Sequence, residues 1–392
     1  MADPWLTLIG MPDDTAAQLP PASRAVIDAA EVIFGGPRHL ELVSAGERGQ
    51  PWPVPFSVEP VLEAKGKRVA VLASGDPFWF GVGGSLAAHL DPADWVVLPA
   101  PSTFCLVAGA LGWRMEEVTC HGLHAAPFAL LRRALSPLGK MICLVRDGAA
   151  PAALADWLTA QGAGAASLTV CENMGGPRQR IRNTTAASFD LTEVAAPVAV
   201  AVMLPGDVGL SRASGLPDTA FAHDGQITKR PIRALTLSAL APRQGETLWD
   251  IGAGSGSVSV EWCLAGGHAT AFEIRADRVV NIRRNIDAFG IGQRMQVVEG
   301  ASIETLRNRP VPDAVFVGGG GTAVLFEQLI QLPAGTRLVA NGVTLETETL
   351  LLNLHARHGG NLMRFEIAQA QPLGALRGWT PSRPLVQWSV TL

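Results

Sequence analysis

The chain has 392 residues, 48% of them hydrophobic and 17% charged, with a formal net charge of −4. That length suits two domains of roughly 100–200 residues each, the balance is ordinary for a well-packed α/β protein, and no Lys/Arg run supplies the basic patch that nucleic-acid binding calls for. The five cysteines (Cys105, Cys120, Cys143, Cys171, Cys263) contain no C-x-x-C pair and read as reduced thiols. The start, Met1-Ala2-Asp3-Pro4, shows no basic segment ahead of an apolar core, and no apolar run nears the roughly 18 residues of a membrane span. A soluble, cytoplasmic protein is expected.

In chain order, strand-like runs are predicted at 5–9, 69–73, 95–98, 141–145, 168–171 and 198–204, with helical patterns such as 22–31 and 152–161 intervening. Alternation of this kind predicts βαβ units and mainly parallel sheets. Gly, Pro, Ser and Asp cluster without periodicity at 205–223, the best linker candidate. Domains of 1–205 and 206–392 follow. The second domain reads as helix 229–240, strand 247–251, helix 257–265, strand 269–274, helix 276–289, and strands 295–299 and 314–317. This order fits a doubly wound sheet that binds its ligand at the carboxyl edge. The segment 362–392 is expected to add edge strands or a closing hairpin.

Three strand-ending turns mark the first domain. Ile9-Gly10-Met11-Pro12 follows the first strand, Ser74-Gly75-Asp76-Pro77 follows an apolar run, and Ala100-Pro101-Ser102-Thr103 follows another. Gly75 permits unusual backbone angles, Pro77 fixes φ, and Asp76 becomes a fixed polar group at a sheet edge.

The most informative stretch is Asp250-Ile251-Gly252-Ala253-Gly254-Ser255-Gly256, a buried strand running through three alternating glycines into a helix. Such a turn lets a ligand approach main-chain N–H groups with no Cβ in the way. A dinucleotide turn would place glycine where Ser257 stands, which disfavours a dehydrogenase. The G-x-G-x-G spacing suits S-adenosylmethionine, with Asp250 bonding around the turn or meeting the ammonium of the methionine moiety. Glu273 ends the next strand, where an acid accepts the ribose hydroxyls, and Gly300-Ala301 forms a small-residue turn against which adenine can lie. Gly318-Gly319-Gly320-Gly321 is either a side-chain-free wall for a flat substrate or a flexible loop. No Asp/Asn-Pro-Pro-aromatic tetrad is present, against methylation of a nucleobase amino group. His121/His124 and His355/His358 have i, i+3 spacing without an acidic or cysteine partner, so no metal is expected.

Together with Phe34-Gly35-Gly36-Pro37-Arg38-His39-Leu40, the three N-terminal turns resemble the tetrapyrrole (corrin/porphyrin) methylase family in its precorrin-6 branch. Gly215-Leu216-Pro217-Asp218, Thr228-Lys229-Arg230 and 249–261 are similar to the partner methyltransferase that acts on the same ring. The fusion resembles the decarboxylating precorrin-6B methyltransferases over nearly the whole chain, although the first loop departs from the usual Gly-x-Gly-Pro-Gly.

The resemblance implies a tetrapyrrole-methylase fold of two α/β lobes followed by a Rossmann-like class I methyltransferase. It implies methylation at ring carbons 5 and 15 with loss of the carboxyl from the carbon-12 acetate, giving precorrin-8 in cobalamin biosynthesis. The first half would serve carbon 5, and the second carbon 15 and the decarboxylation. One S-adenosylmethionine site per domain is implied: Thr228, Asp250, Gly252, Ala253, Gly254, Ser255, Gly256, Glu273, Gly300 and Ala301 in the second, and Gly10, Ser74, Gly75, Asp76 and Ser102 in the first. Arg38, Arg230 and Arg233 are candidates to grip substrate carboxylates, with His121 and Gly319 as further substrate contacts. A homo-oligomer that binds neither nucleic acid nor membrane is expected. An RNA methyltransferase and a non-catalytic tetrapyrrole carrier are the alternatives.

Overall fold

The computed structural model describes residues 4–12, 19–300, 305–306 and 309–392. The chain divides into two compact units, Met1–Phe128 with Ala134–Val208, and Ala129–Arg133 with Gly209–Leu392.

In the first unit β1 (Leu6–Met11), β2 (Val32–Gly35), β3 (Gly49–Pro51), β4 (Val69–Ser74) and β5 (Trp95–Leu98) form a sheet in the order β3-β2-β4-β1-β5, with every pairing parallel. All six residues of β1 and the first five of β4 are buried. Covering on both faces explains their unbroken apolar runs. A second sheet holds β6 (Val118–Leu123), β7 (Lys140–Val145), β8 (Ser167–Glu172), β9 (Arg180–Thr185) and β10 (Val198–Met203) in the order β6-β7-β10-β8-β9. Only β6 and β7 pair in parallel; the other three pairings are antiparallel. The expectation of mainly parallel sheets therefore fails in this lobe. Residues 173–179, which join β8 to β9, are fewer than the dozen or so that a parallel crossover needs.

The second unit is built on β11 (Thr247–Ile251), β12 (His268–Glu273), β13 (Met295–Glu299), β14 (Ala314–Val317), β15 (Arg337–Gly342), β16 (Asn361–Phe365) and, after the separate hairpin β17 (Ala368–Leu373) and β18 (Leu376–Pro381), β19 (Leu385–Thr391). The sheet order is β13-β12-β11-β14-β15-β19-β16, parallel from β13 to β15 and antiparallel at β19. The strand order reverses between β11 and β14, and in open α/β sheets the ligand crevice opens at the carboxyl ends of the strands at that point. Side chains alternate across the sheet: Leu248 joins Val258, Trp262 and Ile282 on one face, while Trp249 joins Phe326, Leu351 and Trp388 on the other.

The segment 205–223 is not a free linker along its whole length. From Gly209 onward it belongs to the second unit, and Gly215 and Leu216 donate their N–H groups to Glu261 at 2.6 and 3.0 Å. Among the described residues no helix is long and apolar enough to cross a membrane.

Candidate active sites

The glycines of the second unit sit at the sheet's switch point. Gly252, Gly254 and Gly256 all have positive φ (67°, 60° and 70°), a region that L side chains rarely adopt. A Cβ on Gly252 would lie 2.4 Å from the Gly319 carbonyl oxygen, so the turn after β11 packs directly on the glycine loop after β14. Gly252 and Ala253 donate to the Phe272 carbonyl at 3.0 and 3.1 Å, tying the turn to β12.

Glu273 closes that strand with its carboxylate 4% exposed. One oxygen accepts from the Gly254 N–H at 2.8 Å and the other from the Arg275 N–H at 3.0 Å. Gly300 donates to the Glu273 carbonyl at 3.1 Å, which brings the third predicted turn to the same edge; Ala301 lies outside the described residues. Asp250 is 1% exposed and accepts from Ser259 Oγ at 2.7 Å through Oδ2. Its Oδ1 has no hydrogen-bond partner among the described residues, and burial pushes the carboxyl up to about 7. Ser255, 3% exposed, likewise keeps a buried hydroxyl without a partner among the described residues.

Thr228 and Arg230 lead into the helix Arg230–Leu240. Arg230 is exposed, with its backbone N–H on Asp218 at 3.0 Å. Arg233 lies inside the unit. Its side chain is fully buried, with Nε 2.6 Å from Glu261 and Nη1 3.1 Å from Asp218, and it also donates to the carbonyls of Thr228 and Leu216. Four of the five N–H donors of this guanidinium are committed to internal acceptors, and it anchors Leu216 and Asp218 to the helix.

In the first unit, parallel pairing of β1 with β4 and β5 gathers the three dispersed turns at one edge. A Cβ on Gly10 would lie 2.1 Å from the Gly75 carbonyl oxygen and 2.3 Å from the Ala100 nitrogen; one on Gly75, itself at φ +60°, would lie 2.8 Å from Ser102 Cα. No side chain fits where these backbones meet. Asp76 accepts from the Phe78 N–H at 2.8 Å and so stiffens its own turn. Ser102 caps the helix Thr103–Leu111.

Beside this edge a cavity of about 300 Å3 has Ser74, Ser102, His39, Trp79 and Phe80 on its walls, with His124 from beyond β6. His39, quoted in the sequence only as part of a string, lines this cavity, and the pattern did not single it out. It is 8% exposed, and burial, with the Arg38 guanidinium second, holds its imidazole down at about 4. Arg38 Nη2 lies 3.3 Å and Ser74 Oγ 3.2 Å from His39 Nε2. A guanidinium only donates, so that nitrogen is the acceptor. The cavity wall carries His124, and His121 is not on it: His121 Nε2 pairs with Thr119 Oγ1 at 3.2 Å along β6. Among the described residues no group of three or more His, Cys, Asp or Glu is placed to hold a metal ion.

Two sets of strand-ending turns, each at the carboxyl edge of a parallel sheet and each with glycines where a Cβ would clash, lie within the stretches that match known domain families. Residues 6–190 match the Tetrapyrrole (Corrin/Porphyrin) Methylases, and residues 219–392 match the Precorrin methyltransferase domain. The class is thus a tetrapyrrole methylase unit joined to a second methyltransferase unit. A precorrin-6Y C(5,15)-methyltransferase (decarboxylating) of Sinorhizobium sp is 44% identical over 100% of this chain and 97% of its own. The protein of that name from Mycobacterium tuberculosis is 38% identical over 98% of this chain and 99% of its own. The crystal structure of the C-terminal domain of precorrin-6Y C5,15-methyltransferase from Rhodobacter capsulatus is 61% identical, covering 47% of this chain and 100% of its own, with a TM-score of 0.46. The chain belongs to the family of decarboxylating precorrin-6Y C(5,15)-methyltransferases.

Proposed function

We propose that the chain methylates precorrin-6B (precorrin-6Y) at ring carbons 5 and 15 and removes the carboxyl of the carbon-12 acetate, with one S-adenosylmethionine site in each of two domains, 1–205 and 206–392. The observation that carries this reading is the second crevice, where three positive-φ glycines, a buried Glu273 on the Gly254 N–H and an unpartnered Asp250 oxygen converge.

S-adenosylmethionine supplies an electrophilic methyl group on a sulfonium. Gly252–Gly256, with Ala253 and Ser255, give that donor a backbone cradle; Glu273 takes the ribose hydroxyls, Asp250 the ammonium, and the Gly300 turn the adenine. In the first unit Gly10, Gly75 and Ser102 cradle the second donor, Asp76 stiffens the loop, and Ser74 joins the cavity to His39. Methyl transfer to carbon is an in-line displacement, so holding donor and ring in line supplies most of the rate. The meso carbon is already electron-rich through the pyrrolic nitrogens, and the conjugated ring receives the electrons that decarboxylation releases. The exposed Arg230 and the half-buried Arg38 are the remaining candidates for the peripheral carboxylates, with the Gly319 loop as a side-chain-free wall.

The protein acts in the cytoplasm without nucleic acid, and as a homo-oligomer. The hairpin β17–β18, with Leu373, Leu376 and Trp379 each at least 70% exposed, supports a second copy as its covering. Incubating the full chain with the precorrin and isotopically labelled donor, then weighing the product, tests the reading: gain of two labelled methyls and loss of carbon dioxide is expected, and a product without either change contradicts it.

A further inference from the structure

The helix Ala276–Phe289 buries an apolar stripe of Val279, Ile282, Ile286 and Phe289, and in the middle of it stands a polar residue, Asn285. It is 1% exposed, and all three of its hydrogen bonds leave the helix. Oδ1 accepts from the Ala222 N–H at 2.7 Å, and Nδ2 donates to the Ala222 carbonyl at 3.0 Å and the Ser255 carbonyl at 2.9 Å. One amide therefore ties the segment 222–228 to the Gly-rich turn.

Two helical turns earlier on the same face, Arg278 Nε donates to Asp224 Oδ2 at 3.0 Å, and the other Asp224 oxygen accepts from the Gln226 N–H at 2.9 Å. The Gln226 carbonyl then lies 3.6 Å from the position a Cβ on Gly254 would take. The segment runs as a strap across the turn whose Gly254 N–H meets Glu273. A buried amide costs free energy unless each of its groups is paired, and an apolar residue would complete the stripe at no such cost. What the amide adds is the joint between strap and turn.

We infer that Asn285 is a positioning residue of the methyl-donor site in the second unit, holding the strap over Gly254 so that the crevice is formed before the donor arrives, with Arg278–Asp224 as a second clip. The inference rests on the donor-site reading above. A crevice that is already ordered binds more tightly because less ordering accompanies binding.

The test is titration of S-adenosylmethionine into the full chain, with steady-state rates for each methylation. Asn285→Ala should weaken donor binding at the second-unit site by about tenfold and raise the donor KM of the carbon-15 methylation equally, leaving kcat at saturating donor within about twofold. Arg278→Ala should act in the same direction by about threefold. Neither should alter donor binding or carbon-5 methylation at the first-unit site, which serves as the internal control. A residue that only supports the fold would lower thermal stability and active fraction without this KM-against-kcat split. Parental donor affinity in folded Asn285→Ala, or equal loss at both sites, overturns the inference. Should Asn285→Ala fail to fold, Arg278→Ala decides, and an unchanged affinity there overturns it. If Gly252→Ala leaves the full donor stoichiometry intact, the donor-site reading itself falls, and the strap's role with it.

Discussion

The two candidate sites proposed for the donor are built by different means. In the second unit one contiguous turn, 252–256, supplies the backbone, and two buried carboxylates, Asp250 and Glu273, stand beside it. In the first unit three separate turns supply the backbone, at Gly10, Gly75 and Ser102, and a buried imidazole, His39, lines the adjoining cavity. What they share is the removal of Cβ atoms where strand ends converge. Main-chain groups form the common element of both cradles, while side-chain polarity is set separately in each.

The sharpest way to break this comparison is to restore a Cβ on each side in turn. Gly10→Ala would place a methyl 2.1 Å from the Gly75 carbonyl oxygen, and Gly252→Ala one 2.4 Å from that of Gly319. Each should abolish donor binding in its own unit and leave the other intact, read by calorimetry on the full chain. A variant that lost both sites would show that the crevices are not independent.

Next in size is the Arg233 anchor of the second unit. Removing one member of a buried ion pair leaves the other charge unpaired, so Arg233→Ala should destabilise the second unit by about 3–5 kcal/mol in denaturant unfolding. The same anchor predicts that a fragment beginning at Gly209 folds, while one beginning at His223, without Leu216 and Asp218, unfolds at lower denaturant. A small loss would return Arg233 to the list of substrate contacts.

Glu273→Ala should cost the second-unit site about 1.5–3 kcal/mol of donor affinity, the scale of hydrogen bonds to a charged group. An unchanged affinity by calorimetry would remove the ribose role.

The smallest effect is a pH dependence. With its carboxyl pushed up to about 7 by burial, Asp250 is ionised in the free protein only above that pH. Donor affinity at the second-unit site should therefore rise as the pH rises through about 7, since an ammonium pairs with the carboxylate, and Asp250→Asn should flatten the profile. The linkage for the unliganded fold has the opposite sign. A raised carboxyl pKa gives stability that is present at low pH and lost as the pH climbs from the ordinary carboxylate range to about 7.

The convergence of Gly252–Gly256 and Glu273 was legible in the sequence because it is local: one turn and the end of the next strand, in register through Ile251 and Phe272. That of the first unit's turns was legible only through family resemblance. Gly10, Gly75 and Ser102 meet because β1 lies between β4 and β5, and spacing along the chain does not encode that order. The burial of Arg233 escaped for a related reason, since a guanidinium in an amphipathic helix looks the same on paper whether it faces water or Glu261. The antiparallel pairing in the second lobe escaped because β7, β8 and β10 carry the same apolar runs as parallel strands, while β9, Arg-Ile-Arg-Asn-Thr-Thr, carries none. Asn285 did leave a trace, a polar residue interrupting the stripe of Val279, Ile282, Ile286 and Phe289.

The account turns on two independent donor sites in one chain, and the direct measurement is the number of S-adenosylmethionine molecules bound per full-length chain, by calorimetry with the protein concentration fixed by amino-acid analysis. Two per chain is predicted, falling to one in Gly10→Ala and to one in Gly252→Ala. One per chain in the unaltered protein would contradict it, and whichever glycine variant left that value unchanged would mark its unit as a scaffold rather than a second catalyst.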